Sequence, residues 1–194
     1  MSFTCGYLEM IIGPMFSGKT STLINIYKHY LLYNKNVCIV NYAMDKRYSE
    51  NKIMTHDKVG IDCMFLENLS DIVSNDYDII LINEGQFFGD IVEVVKQWVD
   101  QDGKRIHIAA LDGDFRRKPF QVISELIPLC DSLLKRKALC IDCKDGTEAI
   151  FSLRYRDEAM SKVIQIGGSD AYKPVCRTCY QKYFTKQFKE SSTL

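Results

Sequence analysis

The eight residues Gly13-Pro14-Met15-Phe16-Ser17-Gly18-Lys19-Thr20 fit the pattern G-x-x-x-x-G-K-[ST], and no other stretch constrains the fold as tightly. The pattern works at one kind of place only, after a buried strand and at the mouth of a helix. Its glycines let main-chain N–H groups curl around phosphate oxygens, and the helix turns its positive N-terminal end toward them. Lys19 would reach the β- and γ-phosphates, and the Thr20 hydroxyl would ligate Mg²⁺. The flanks agree with this placement. Residues 7–12 are a mostly apolar run of strand length, and from Gly18 to about Tyr33 the residues Leu23, Ile26, Tyr27, Tyr30 and Leu31 recur at helical spacing.

Further strand-like runs follow at 37–40, 78–83 and 106–111, all nearly continuous in apolar residues. Such runs belong to strands buried on both faces, as in a parallel sheet covered by helices. A second helix is expected from Asp90 to about Asp102, with Ile91, Val94, Val95 and Trp98 on one face and Asp90 as its N-cap. Strands alternating with helices behind a phosphate loop predict an α/β fold, a RecA-like, mostly parallel sheet flanked by helices. A P-loop enzyme usually carries an acidic residue at the end of a second buried strand. Here that strand ends in Asn83-Glu84. Asn83 can still hold a metal-bound water through its carbonyl oxygen, and Glu84 could accept the proton of an attacking hydroxyl or water.

The chain has 194 residues, 46% of them hydrophobic, which suffices for one domain with a small satellite. Lys plus Arg and Asp plus Glu are each 25, so the formal charge is zero and the broad basic field of a nucleic-acid coat is absent. The opening residues do not read as a signal peptide, and the apolar runs are too short to span a bilayer. A cytoplasmic protein without membrane or nucleic-acid partners is expected.

Four cysteines stand apart, Cys5, Cys38, Cys63 and Cys130, and read as small buried apolar residues. The other four form two C-x-x-C pairs, Cys140/Cys143 and Cys176/Cys179, the thiolate number of a closed structural zinc site. They bracket strand-like pieces at 150–155 and 163–166, so the expected division is a nucleotide-binding domain, 1–137, and a zinc-held lasso or ribbon, 138–194. His29, His56 and His107 are scattered and read as structural. Arg116-Arg117-Lys118 lies near Asp112 and Asp114, and is either a solvated loop or a phosphate neutraliser. Phe115 and Phe120 read equally well as core aromatics or as site residues.

Taken together, the chain resembles the P-loop, zinc-containing (type II) thymidine kinases of cytosolic vertebrate, poxviral and bacterial type. The resemblance rests on 13–20, Asp45-Lys46-Arg47-Tyr48-Ser49, Thr55-His56-Asp57, Glu84-Gly85-Gln86-Phe87-Phe88 and Ala110-Leu111-Asp112-Gly113. It continues through Phe115, Arg117-Lys118-Pro119-Phe120, Ile166-Gly167-Gly168, Tyr172 and the last C-x-x-C, in the family's order. It implies transfer of the ATP γ-phosphoryl group to the 5′-hydroxyl of thymidine, with deoxyuridine as a further substrate, Mg²⁺ as cofactor and Zn²⁺ as a structural ion. It implies Glu84 as general base, and Gly13 to Thr20 with Asn83 and Gln86 at ATP. On the nucleoside side it implies Met15, Asp45, Phe87, Leu111, Phe115, Phe120 and Tyr172. The lasso stretch Val163, Ile164, Gln165, Ile166 and Gly167 would read the thymine edge with its backbone. A homotetramer and feedback inhibition by dTTP are implied as well. The family commonly has Asp where this chain has Asn83, and one lost charge beside the metal would weaken Mg²⁺ by about an order of magnitude. Two other readings explain the cradle and the cysteines: a P-loop ATPase with a zinc ribbon, and a catalytically weakened nucleotide-binding regulator.

Overall fold

The computed structural model describes residues 5–45, 52–54, 60–155 and 171–183. Strand β1 (Tyr7–Ile12) leads through the phosphate loop into helix α1 (Lys19–Leu31), and β2 (Val37–Tyr42) follows. A small hairpin pairs β3 (Lys52–Met54) with β4 (Gly60–Asp62). Then come β5 (Met64–Leu66), β6 (Ile79–Asn83), α2 (Ile91–Asp100), β7 (Arg105–Ala110), α3 (Gln121–Leu126) and β8 (Ser132–Lys135). The six strands other than the hairpin form one sheet in the order β5-β2-β6-β7-β1-β8. Every pairing within it is parallel. The expected α/β architecture is present, and β7 lies between the strand of the phosphate loop and the strand that ends in Asn83.

Alternation along the strands sends side chains to two apolar layers. Leu8, Met10, Ile12, Ile80, Ile82, Ile106 and Ile108 pack with α2 and α3 on one face. Ile11, Ile39, Ile79, Leu81 and Ala109 pack with Leu23 and Ile24 of α1 on the other. The helix stripe on α1 is turned slightly from the expected one, because Ile24 is buried while Leu31 is 47% exposed at the helix end. His107 interrupts this second layer. It is buried, its Nδ1 is 2.7 Å from Glu9 Oε2, and its Nε2 is 3.1 Å from the Tyr30 hydroxyl. Burial holds its pKa below the ordinary value against the opposing pull of Glu9. The reading of His107 as structural fits this position, and His29 is exposed.

Asp90 precedes α2 as expected, yet its carboxylate does not cap that helix. It accepts hydrogen bonds from the main-chain N–H groups of Leu69 and Ser70, tying a separate 3-10 turn to the start of α2. Of the isolated cysteines only Cys38 is buried; Cys63 and Cys130 are half-buried and Cys5 is exposed, which corrects the expectation for those three. Burial, with a contribution from Cys63, pushes the Cys38 thiol up to about 12.

Beyond β8 the chain forms two small antiparallel ribbons, β9 (Ala138–Leu139) with β10 (Glu148–Ala149), and β11 (Phe151–Arg154) with β12 (Tyr172–Val175). A helical segment spans 177–183. The strand expected near 150–155 is β11; the piece at 163–166 lies outside the described residues. No helix among the described residues is long and apolar enough to cross a membrane.

Candidate active site

The phosphate loop, Asp45, Asn83 to Gln86 and 111–120 all lie at or beyond the carboxyl ends of the parallel strands β1, β2, β6 and β7, where an open α/β sheet gathers its ligands. The loop after β1 needs glycine at both ends. A β-carbon on Gly13 (φ 145°) would stand 2.3 Å from the Arg136 carbonyl oxygen, and Gly18 is left-handed at φ 76°. Phe16 also takes a positive φ of 64°. Inside the loop the Ser17 hydroxyl donates to the Pro14 carbonyl at 2.8 Å, and Lys19 Nζ donates to the same oxygen at 2.7 Å. The lysine ammonium is therefore held against its own loop.

Arg136, immediately after β8, was not legible as a site residue. Its main-chain N–H donates to Ile12 O at 2.7 Å, and its Nε donates to Ser17 O at 3.2 Å. A β-carbon on Gly18 would be 3.2 Å from its guanidinium. It brings a second positive charge to the cradle from 119 positions beyond Ser17 in the chain. Nothing in local sequence pattern signals such a contact.

The end of β6 supplies the next groups. Asn83 is buried, and its Oδ1 accepts from the Thr20 hydroxyl at 3.2 Å. Its Nδ2 donates to Asn41 Oδ1 at 2.8 Å, and Asn41 Nδ2 reaches Asp45 O at 3.2 Å and Asp45 Oδ2 at 3.4 Å. Glu84 follows in a left-handed conformation, φ 54°. Such a φ is uncommon outside glycine, and it swings the carboxylate off the strand direction. Gln86 fixes that carboxylate. Its Nε2 donates to Glu84 Oε2 at 2.6 Å while its Oε1 accepts from the Leu111 N–H at 3.0 Å, so one buried amide clamps Glu84 to the end of β7.

Met15, Phe16, Phe115, Ala171 and Tyr172 form one apolar cluster beside the cradle. Phe115 is buried, and its carbonyl accepts from the Tyr180 hydroxyl at 2.8 Å. Three of the expected nucleoside-side residues thus meet, Met15, Phe115 and Tyr172. Phe87 and Phe120 do not join them. They stack edge to face at 6.4 Å, and Phe87 meets Tyr42 at 5.4 Å, against the core of the main sheet. Val163, Ile164, Gln165, Ile166 and Gly167 lie outside the described residues, as do 46–51 and 55–59.

The basic loop is a closed turn. Asp114 Oδ1 accepts from the N–H groups of Arg116 and Lys118, both at 2.8 Å. Arg117 lies over the Tyr180 ring at 4.6 Å, and Asp112 pairs with Lys135 at 2.9 Å. Asp112 is therefore paired across the sheet edge, outside the basic cluster.

Cys140, Cys143, Cys176 and Cys179 bring their Sγ atoms within 4.8 Å of one another. A tetrahedron with Zn–S of about 2.3 Å has S···S edges of about 3.8 Å, and Cys143 Sγ lies 3.8 Å from Cys176 and 3.5 Å from Cys179. Burial raises the Cys140 thiol and main-chain N–H donors of Cys176, Cys143 and Asp142 lower it, to about 7. Four thiols so grouped, with amide donors aimed at sulfur, fit a structural zinc ion. The cluster is joined to the cradle: Met15 N–H donates to the buried Ser152 hydroxyl of β11 at 2.9 Å, and Phe16 packs against the same lobe.

A phosphate cradle, a clamped carboxylate and a four-cysteine lobe thus occur together in one chain. A family profile described as thymidine kinase matches residues 6–180. The chain belongs to the thymidine kinase family. It is 44% identical to the thymidine kinase of sheeppox virus (strain KS-1) over 177 residues, 90% of this chain and 97% of that one. It is 42% identical to the myxoma virus (strain Uriarra) thymidine kinase over 182 residues, 93% and 99% of the two chains. It is 41% identical to that of vaccinia virus (strain Western Reserve) over 177 residues, 90% and 97%. The thymidine kinase profile covers both the cradle and the thiolate cluster, so the sheet and the lobe belong to one enzyme family.

Proposed function

We propose that this chain transfers the γ-phosphoryl group of ATP to the 5′-hydroxyl of thymidine, giving dTMP and ADP, with deoxyuridine as a second substrate. Family membership supports the reaction, and the observation that carries the mechanism is the clamped Glu84 carboxylate beside the phosphate loop. Main-chain N–H groups of the phosphate loop other than that of Met15, with the Lys19 ammonium, bind the triphosphate, while Glu84 accepts the proton of the 5′-hydroxyl as the hydroxyl oxygen attacks the γ-phosphorus in line and ADP leaves. Gln86 engages one oxygen of that carboxylate and so fixes its orientation. Arg136 adds positive charge at the cradle. The neighbouring oxygens, Thr20 Oγ1 and Asn83 Oδ1, are the hard donors that Mg²⁺ takes, alongside phosphate oxygens. When bound, the ion neutralises charge on the β- and γ-phosphates.

Met15, Phe115 and Tyr172 form the apolar wall of the nucleoside side, with Asp45 nearby and the backbone of Val163 to Gly167 reading the base. Phe87, Leu111 and Phe120 complete the nucleoside side, on the loops that follow β6 and β7. We divide the chain at 137/138, into the nucleotide-binding unit and the zinc-held unit, with Zn²⁺ held by the four thiolates. A cytoplasmic homotetramer, inhibited by dTTP at the thymidine site, completes the reading. A DNA-stimulated ATPase or a silent regulator would lack nucleoside turnover.

The test is to incubate the purified protein with ATP, Mg²⁺ and each of the four common deoxynucleosides plus deoxyuridine, and to quantify monophosphates. Thymidine is expected to give product and the purine deoxynucleosides little. Glu84→Gln is expected to lower turnover by about 10²- to 10⁴-fold while ATP still binds. Near-normal turnover in that variant would remove Glu84 as the base.

A further inference from the structure

A single line of hydrogen bonds, Thr20–Asn83–Asn41–Asp45, runs beneath the phosphate cradle. The geometry has a simple origin. Val40 pairs with Ile82 between β2 and β6, so Asn41 and Asn83 fall side by side one step further on, on the face that α1 covers. Both amides are buried, Asn41 at 3% and Asn83 at 5% exposure, and so is Asp45 at 8%.

The polarity of this line is set from one end. The Asp45 main-chain carbonyl can only accept a hydrogen bond. Asn41 must therefore turn its Nδ2 toward Asp45, which leaves its Oδ1 facing Asn83. Asn83 answers with its own Nδ2 and so presents Oδ1 to Thr20, and the Thr20 hydroxyl donates to it. The lone pairs of the Thr20 oxygen are left free on the cradle side. A reversed Asn83 would show Thr20 an N–H₂ group, and no amide nitrogen ligates Mg²⁺.

We propose that Asn41 is a positioning residue: it transmits the acceptor character of Asp45 to Asn83, so that two oxygens, Asn83 Oδ1 and Thr20 Oγ1, face the Mg²⁺·ATP side of the cradle. The inference rests on the reading of Thr20 and Asn83 as metal-side residues given above. It carries a consequence that charge counting alone misses. With Asp at position 83, a carboxylate oxygen would face Asn41 Oδ1, acceptor against acceptor. Turning Asn41 over would relieve that contact and set its oxygen against the two acceptors of Asp45. Either orientation breaks one buried contact. Restoring a negative charge at 83 therefore weakens the site unless residue 41 donates in both directions, as a lysine ammonium does.

Calorimetric ATP binding, in Mg²⁺ and again in EDTA, separates the metal-dependent gain from the rest. It is run on the unmodified protein, Asn41→Leu, Asn83→Asp and the pair Asn41→Lys with Asn83→Asp, with melting temperature recorded alongside. Asn41→Leu is expected to cut the Mg²⁺-dependent gain in affinity about tenfold, with affinity in EDTA unchanged. Asn83→Asp alone is expected to lose part of the gain as well, and the pair to recover it. Asn83→Asp is isosteric, so its result stands even if Asn41→Leu folds poorly. A stronger Mg²⁺ gain in Asn83→Asp alone, or an unchanged gain in Asn41→Leu with only a lower melting temperature, overturns the proposal. Equal ATP affinity with and without Mg²⁺ in the unmodified protein overturns the metal reading beneath it. Thymidine phosphorylation is read in a separate assay, so loss of that activity alone would count against the function and leave Asn41's role to the binding data.

Discussion

The six-stranded sheet and the four-cysteine lobe hold themselves together by different physics. The sheet buries an isoleucine- and leucine-rich layer on each face, with Ile79, Ile80, Leu81 and Ile82 all at 0% exposure in a single strand. The lobe has a few buried apolar residues, Ala138, Ala149, Leu153, Val175 and Tyr180 among them, spread over ribbons of two to four residues. Strands that short cannot offset their own ordering entropy. The thiolates supply what the lobe's core lacks, and the lobe in turn supplies Ser152, Phe16's packing surface and Tyr172 to the cradle. The difference teaches that the phosphate loop is built on a self-sufficient frame, and the apolar cluster of Met15, Phe115 and Tyr172 beside it on a conditional one.

The sharpest way to break this comparison is to remove the metal. Structural zinc contributes about 10–16 kcal/mol to small domains that depend on it. Dialysis against a strong chelator is expected to abolish thymidine phosphorylation while the far-ultraviolet signal of the sheet and its cooperative unfolding persist. Loss of both together would mean the two regions fold as one unit. A smaller effect, on the other region, comes from Leu81→Ala. Emptying that position is expected to cost about 2–5 kcal/mol, read as a lower denaturant midpoint, with KM for thymidine unchanged well below the transition. Smallest is the joint between the regions. Ser152→Ala leaves the Met15 N–H without its partner at a cost of about 1–3 kcal/mol, and KM for ATP is expected to rise several-fold. An unchanged KM there would show that the lobe does not shape the phosphate loop.

Much of the frame was legible because its signals are local. The runs at 7–12 and 78–83 are strands within a residue of their expected ends, and the glycine pattern lies where its mechanism requires. The short edge strands β5 and β8 escaped notice because three or four residues carry no readable period. Asp90 shows how a correct local signal can serve a distant partner: the residue sits at the helix start, yet its carboxylate is spent on Leu69 and Ser70. In the site, Glu84 and the cysteines declare themselves by position and spacing. Asn41 offered a weak signal, a polar residue closing an apolar run on the same strand face as the core, and only pairing with β6 gives it meaning. Arg136 offered none, since its closeness to Ser17 and Gly18 depends on β8 lying beside β1. The edge-to-face pairing of Phe87 with Phe120 was not legible, because it joins the loops after β6 and β7, 33 positions apart in the chain.

Strand β1 is made well before its neighbours in the sheet, β7 and β8, which are completed at residues 110 and 135. A nascent chain therefore carries its nucleotide loop on an unpaired strand until β7, about a hundred residues further on, has been made. Gly13 cannot close against the Arg136 carbonyl before that residue exists. Nucleotide cannot template the early stages of folding here; it can only reward a chain that already has β8 in place. Truncated products of interrupted translation would bear the motif without the grip, and would not draw on the cell's ATP.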